Sequence, residues 1–107
     1  MNFKSIFENS SDDKLVSKAF SKLEKSYGWG DYRFDMGDFE LSTYGGNDNH
    51  YDAEDDSAIM TVQADNVDIF TFTWSDSGYK VDNINDKKLF KVINNKIINN
   101  EFSEAKD

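Results

Sequence analysis

Apolar residues recur every three or four positions between Ser10 and Gly28, which is the spacing of one buried face of an α-helix. They are Leu15, Val16, Ala19, Phe20, Leu23 and Tyr27. A serine, Ser10 or Ser11, can cap the first turn. The carboxylates of Asp12 and Asp13 suit the positive end of the helix dipole. Gly28 can take the left-handed conformation that often follows the last turn, so the sequence predicts a helix that packs by one face.

The pattern changes to strict alternation over residues 31–44, which is typical of strands with one buried face. Tyr32, Phe34 and Met36 alternate with Asp31, Arg33 and Asp35, and Phe39, Leu41 and Thr43 alternate with Glu40, Ser42 and Tyr44. Gly37 and Asp38 lie between the two runs, and glycine supplies the positive φ that a two-residue hairpin turn needs at its first central position. The sequence therefore predicts an antiparallel hairpin. Its outward-facing acids are Asp31, Asp35 and Glu40, with Asp38 in the turn.

Three further runs, residues 57–63, 66–74 and 77–83, are rich in β-branched and aromatic residues and predict a meander of three strands. Helical spacing returns over residues 85–99, where Asn85 is the predicted cap, and we expect the tail from Asn100 to fray. The chain is predicted to be a single domain, residues 1–107, of the α+β class. Its antiparallel sheet has about five strands, with an N-terminal and a C-terminal helix packed on one face.

The composition of the chain excludes several kinds of functional site. The chain has no cysteine, which excludes disulfides, zinc thiolate sites and thiol catalysis. It has no apolar run long enough for a signal peptide or a membrane span, so we expect a protein of the bacterial cytoplasm. The single histidine, His50, has no GxSxG motif or metal-binding partner pattern beside it. We therefore predict a protein that is not an enzyme and needs no cofactor.

The net charge of −9 is concentrated in the middle of the chain. Residues 31–76 contain twelve acids and one base, Arg33, whereas residues 1–30 and 77–107 each carry a net charge of +1. Because net charge decides which partners a protein attracts, and not its fold, this asymmetry is a statement about partners. Direct binding to nucleic acid is disfavoured, because the acidic segment would repel the phosphates.

The most acidic stretch is residues 45–57, GGNDNHYDAEDDS, which has five carboxylates and no lysine or arginine. An EF-hand is excluded, because neither the register from Asn47 nor that from Asp52 supplies Gly at position 6 and Glu at position 12. A looser calcium site remains an alternative that the sequence leaves open; its ligands would be Asp48, Asp52, Glu54 and Asp56. The favoured interpretation is an acidic contact loop.

Carboxylates on one face of a hairpin form a row of negative charge that a groove built for phosphates would accept. The sequence therefore predicts a small acidic inhibitor that blocks the nucleic-acid-binding surface of a nuclease or a Cas effector. In size and charge the chain is similar to anti-CRISPR and anti-restriction proteins of phages. The predicted partner-binding residues are Asp31, Asp35, Asp38, Glu40, Tyr44, Asp48, Tyr51, Asp52, Glu54, Asp55 and Asp56.

Three alternatives stay open beside this prediction. The first is an immunity protein that neutralises a nuclease toxin, a class to which the chain is also similar in size and charge. The second is a carboxylate metalloenzyme, and the third is a structural subunit of a phage particle or secretion machine. Tyr32 and Trp29 also flank the acidic segment as aromatic candidates for contact, although packing in the core is the favoured interpretation for both.

Overall fold

A computed structural model describes residues 11–28, 30–45, 51–52, 57–75 and 77–105, with residues 51–52 described for their backbone alone. In these residues the chain forms two helices and seven strands. The helices are α1, Ser11–Tyr27, and α2, Lys87–Ile98. The strands are β1, Arg33–Asp35, β2, Glu40–Tyr44, β3, Tyr51–Asp52, β4, Ser57–Ala64, β5, Val67–Ser75, β6, Gly78–Ile84, and β7, Ser103–Glu104.

All strands pair antiparallel in one sheet, with the order β6-β5-β4-β2-β1-β7. β3 pairs with the beginning of β4, where Tyr51 faces Ala58 and Asp52 faces Ser57. The long neighbours β4 and β5 form the centre of the sheet. The predicted α+β class and the antiparallel sheet are confirmed, and two short strands, β3 and β7, add to the five that the alternation predicted.

Both helices pack on the same face of the sheet, as predicted. Phe70 of β5 is fully buried between the two helices, with its ring 6.3 Å from that of Phe20 in α1 and 4.7 Å from that of Phe90 in α2. Phe20 also lies 4.8 Å from Phe72, measured between ring centroids. Burying side chains of this size contributes about 1.5–3 kcal/mol each, so this aromatic centre dominates the stability of the core.

The local turns follow from the residues that form them. Gly28 has φ +83° and its N–H donates to the carbonyl of Glu24 at 2.8 Å, which ends α1 as predicted. Gly37 has φ +94°, and the N–H of Met36 donates to the carbonyl of Phe39 at 2.9 Å across the turn. The predicted two-residue turn at Gly37-Asp38 is therefore confirmed.

Two predictions at the C-terminal end are wrong. α2 is capped by Asp86 and not by Asn85, because the Asp86 carboxylate accepts the N–H of Leu89 at 3.0 Å. The tail does not fray directly after Asn100. Phe102 packs on Phe34, with 4.6 Å between ring centroids, and this contact holds the chain against β1 so that β7 can pair with it.

Among the described residues, neither helix is long and apolar enough to cross a membrane.

Candidate partner-binding surface

The β1–β2 hairpin places two of the predicted acids side by side. Asp35 pairs directly with Glu40, so both carboxylates lie on the sheet face opposite the helices, about 5 Å apart in the backbone. Arg33 lies diagonally across and its Nη2 is 2.9 Å from Glu40 Oε2, an ion pair whose side chains are about half exposed. Such an exposed pair contributes little, and like charges directly opposite each other weaken a hairpin.

The β4–β5 hairpin brings further acids to the same end of the sheet. β2 pairs antiparallel with β4, so the start of β2 lies beside the turn that follows β4. The N–H of Asp65 donates to the carbonyl of Glu40 at 2.9 Å, and the N–H of Glu40 donates to Asp65 Oδ1 at 3.0 Å. Asp65 and Asn66 both have positive φ, 49° and 69°, as a tight hairpin turn requires. Asp68 follows on β5 and accepts from Gln63 Nε2 at 2.7 Å.

The start of α2 and the tail complete this group. Asp86, the α2 cap, lies beside Asp38, Asp65 and Asp68 around one groove, and Glu104 lies beside Asp35 and Asp38 around another. We call this region the turn end. It comprises seven carboxylates, those of Asp35, Asp38, Glu40, Asp65, Asp68, Asp86 and Glu104.

The bases of the described residues are mostly elsewhere. α1 and α2 contain eight lysines and three acids, a net charge of +5, whereas residues 30–45, 57–75 and 77–85 contain seven acids and two bases, a net charge of −5. Lys87, next to the turn end in sequence, is 2.6 Å from Asp12 of α1 and lies over the ring of Phe90. Lys88 is exposed two residues after Asp86. The fold therefore separates a basic helical layer from an acidic turn end.

The two grooves of the turn end differ in character. The groove beside β7, of about 460 Å³, is lined by Asp35, Asp38, Glu40 and Glu104, together with Phe39 and the small residues Gly37, Ser103 and Ala105. The groove beside α2, of about 540 Å³, has an apolar floor that includes Phe39, Val67 and Leu89. In neither groove does a lysine or arginine line the wall, among the residues that the structure describes.

The predicted aromatic contacts separate into one exposed and one buried residue. Tyr44 is 42 % exposed at the far end of β2, whereas Tyr32 is 7 % exposed and belongs to the core. Burial, followed by the nearby charges of Glu24 and Asp31, raises the pKa of Tyr32 to about 12. Its hydroxyl donates to the carbonyl of Gly28. Tyr32 thus supports the fold, and Trp29 lies outside the described residues.

The structure brings together part of the predicted set. Asp35, Asp38 and Glu40 lie at the turn end. Asp31 is exposed and lies toward the opposite end of the hairpin, because it precedes Tyr32, whose carbonyl accepts the N–H of Thr43. Tyr51 and Asp52 lie in β3, so the stretch predicted as a contact loop contains a strand. The remaining candidates, Asp48, Glu54, Asp55 and Asp56, lie outside the described residues, as does His50.

Four acids of the turn end were not among the predicted site residues: Asp65, Asp68, Asp86 and Glu104. The sequence signal for Asp65 was present, because this residue lies between two of the predicted strands, residues 57–63 and 66–74. What was missing was the pairing of β2 with β4, which brings the Asp65-Asn66 turn beside Gly37-Asp38. Asp86 joins through the cap of α2, which was predicted at Asn85, and Glu104 joins through β7, which was not predicted.

In the described part of the chain, no three carboxylate or imidazole groups converge as ligands of a metal ion. The looser calcium site considered for Asp48, Asp52, Glu54 and Asp56 depends on side chains outside that part.

Searches of protein-family models, of curated protein sequences and of solved structures each gave no match to this chain.

Proposed function

We propose that the protein is an inhibitor that binds the basic nucleic-acid-binding surface of a nuclease, a Cas effector or a restriction complex in the place of nucleic acid. The single observation that carries the proposal is the gathering of seven carboxylates at the turn end, where no lysine or arginine among the described residues lines either groove. A polyanionic surface of this kind attracts a partner that evolved to bind phosphates, and it does so from a distance.

The spacing of the acids supports this proposal. Neighbouring strands lie about 4.8 Å apart, and same-face residues along one strand about 6.8 Å apart. Asp35, Glu40 and Asp65 occupy three consecutive strands or their turns, so their carboxylates form a row across the sheet and not isolated charges. A groove lined by lysine and arginine would meet several of them at once.

The cost of the arrangement also supports a role in binding. Asp35 faces Glu40 directly, and like charges in that position destabilise a hairpin by about 0.2–1 kcal/mol. The eight lysines of the helices could have offset this charge from closer positions, but they lie in another layer. Arg33 offsets part of the charge of Glu40, and a contact with a basic partner would offset the repulsion that remains.

Affinity capture tests the proposal. The protein is immobilised and exposed to a nuclease-treated lysate of a bacterium that encodes CRISPR and restriction systems, and retained proteins are eluted with a salt gradient. We expect a nuclease or a Cas complex to elute at high salt, since opposite charges are screened there. The purified partner should then lose its cleavage of duplex DNA when the protein is added, and excess non-target duplex should compete for the complex.

Two variants locate the contact. The first alters the hairpin and is Asp35→Asn/Asp38→Asn/Glu40→Gln. The second alters the stretch predicted as a contact loop and is Asp52→Asn/Glu54→Gln/Asp55→Asn/Asp56→Asn. Each should weaken inhibition by at least about tenfold. A retained partner that does not bind nucleic acid, or a complex that saturating duplex DNA leaves intact, would overturn the proposal. Self-assembly on gel filtration without a foreign partner would indicate a structural subunit instead.

A further inference from the structure

The groove beside α2 combines an apolar floor with an acidic wall. Phe39 and Leu89 are half-buried in the floor, and Val67 is 60 % exposed, the largest exposed fraction among the described large apolar side chains. Val67 is the first residue of β5, directly after the Asp65-Asn66 turn, so its side chain lies at the end of the sheet and lines the groove, where a partner side chain could bury it.

The wall of this groove holds its carboxylates in fixed positions. Asp65 Oδ1 accepts the N–H of Glu40, Asp68 Oδ1 accepts from Gln63, and Asp86 Oδ1 accepts the N–H of Leu89. Each carboxylate is therefore oriented before any partner arrives, which lowers the entropy lost on binding. Asp38 borders the groove from the β1–β2 turn.

We infer that this groove binds a basic segment of the partner that presents one apolar side chain between lysines or arginines. Charge complementarity favours this occupant, since the four carboxylates of the groove would repel an acidic peptide, a nucleic acid or an anionic membrane. The apolar side chain would bury Val67 and supply the affinity that exposed charges alone do not give. The inference rests on the proposed function for the identity of the partner, and on the groove for the location of the contact.

A synthetic amphipathic peptide of lysine and leucine is the probe, added to the ¹⁵N-labelled full chain and followed by NMR. Two control peptides carry serine in place of leucine, or glutamate in place of lysine. We expect the lysine–leucine peptide to shift the amide signals of Phe39, Val67 and Leu89 and to bind at least about tenfold more tightly than either control.

Matched variants separate the groove from the rest of the surface. Val67→Ser removes the exposed apolar group, and Ile59→Ser is its control, because Ile59 is 43 % exposed outside the groove. Asp65→Asn/Asp68→Asn removes two charges and keeps an oxygen acceptor at each position, and asparagine tolerates the positive φ of residue 65. Asp82→Asn/Glu101→Gln makes the same charge change at two exposed acids that line neither groove. The groove variants should weaken peptide binding about tenfold, and the controls should stay within about twofold.

The outcomes distinguish this inference from the proposed function. If the peptide does not bind the parent, or if Val67→Ser and Asp65→Asn/Asp68→Asn bind it as tightly as their controls, the groove is not the contact and the inference is overturned. If a nuclease is captured and both groove variants still inhibit it, the inference is overturned and the proposed function stands. Groove binding of the peptide, with no nucleic-acid-binding protein captured from lysate, would support the inference and overturn the proposed function.

Discussion

The helical layer and the turn end of this protein use their residues in opposite ways. α1 and α2 cover the buried rings of Phe70 and Phe72 and carry a net charge of +5 on their solvent side. The turn end carries seven carboxylates around grooves that no basic side chain lines, among the described residues, and it leaves Val67 largely exposed. Both regions contact the same strand, because β5 contributes Phe70 to the core beneath the helices and Val67 to the turn end.

The difference between the two regions shows which of them stabilises the fold. Burial of aromatic side chains stabilises the helix-covered face, whereas the acids of the turn end repel one another and stabilise the fold only through local hydrogen bonds, such as the capping of α2 by Asp86. The proposed contact with a basic partner would account for the difference in charge between the two regions.

The largest effect should come from the core. Phe70→Ala leaves a cavity between Phe20 and Phe90 and should lower the free energy of unfolding by about 3–5 kcal/mol. Val67→Ala, three residues earlier on β5, should change it by less than about 0.5 kcal/mol, because that side chain is 60 % exposed. Urea denaturation followed by circular dichroism measures both. A comparable loss for the two variants would contradict the division between the regions.

A smaller effect is expected at Asn94, a polar residue that is fully buried in the helical layer. Its Nδ2 donates to the carbonyl of Phe90 at 2.8 Å, but its Oδ1 has no donor within the described part of the chain. Asn94→Leu should therefore raise the free energy of unfolding by about 1–2 kcal/mol.

Thr43→Val is the matched control for Asn94. Thr43 is also buried, but its Oγ1 accepts the N–H of Tyr32 at 2.8 Å, so its removal leaves a donor unpaired. Thr43→Val should lower the free energy of unfolding by about 1–2 kcal/mol in the same urea titration. A loss of stability in Asn94→Leu as well would show that Oδ1 is satisfied in solution.

At the turn end, removing charge should stabilise the free protein slightly. Asp35→Asn keeps the acceptor for the N–H of Gly37 and removes the repulsion with Glu40. We expect a gain of about 0.5 kcal/mol in the free energy of unfolding at low salt, which disappears in about 0.5 M NaCl because the charges are then screened. Asp82→Asn, which keeps the contact with Thr73, is the control and should show no such gain. Equal gains in both variants would indicate net charge and not the cross-strand pair.

The smallest effect concerns alkaline pH and Tyr79, where β6 contacts α1. Burial, followed by the hydrogen bond to Glu24, raises the pKa of Tyr79 above its ordinary value of 10.0. The folded state therefore keeps a proton that the unfolded chain loses, so the contribution of Tyr79 is constant below pH 10 and falls as the pH rises further. Tyr79→Phe should lose less stability than the parent between about pH 9 and about pH 11 in urea titrations. An identical loss would mean that Tyr79 titrates normally in the folded protein.

The sequence predicted the parts of the fold that depend on neighbouring residues. Alternation over residues 31–44 and the glycine at position 37 identified the β1–β2 hairpin and its turn, since both signals are local. The caps of α2 show the limit of such signals. Asn85 and Asp86 are both good capping residues, and only the contact of Asp86 with Leu89 decides between them.

The parts that were missed depend on contacts between distant segments. β2 pairs with β4 across a long connection, and no periodicity in either strand specifies that partner, although it is this pairing that creates the turn end. Phe102 likewise stands alone after α2, and its contact with Phe34 gives β7 its place. The predicted site therefore included Asp35, Asp38 and Glu40 of the hairpin, but not the four acids that these distant contacts bring beside them: Asp65, Asp68, Asp86 and Glu104.

The separation of charge between the two regions can be measured directly by paramagnetic relaxation enhancement with cationic and anionic nitroxide cosolutes of the same shape. The ratio of cationic to anionic enhancement reports the potential near each amide. It should be highest for Asp38, Asp65 and Asp68 and lowest for Lys18 and Lys91 of the helices, and the contrast should shrink as salt is added. The same ratio in both regions at low salt would contradict the existence of an acidic contact surface.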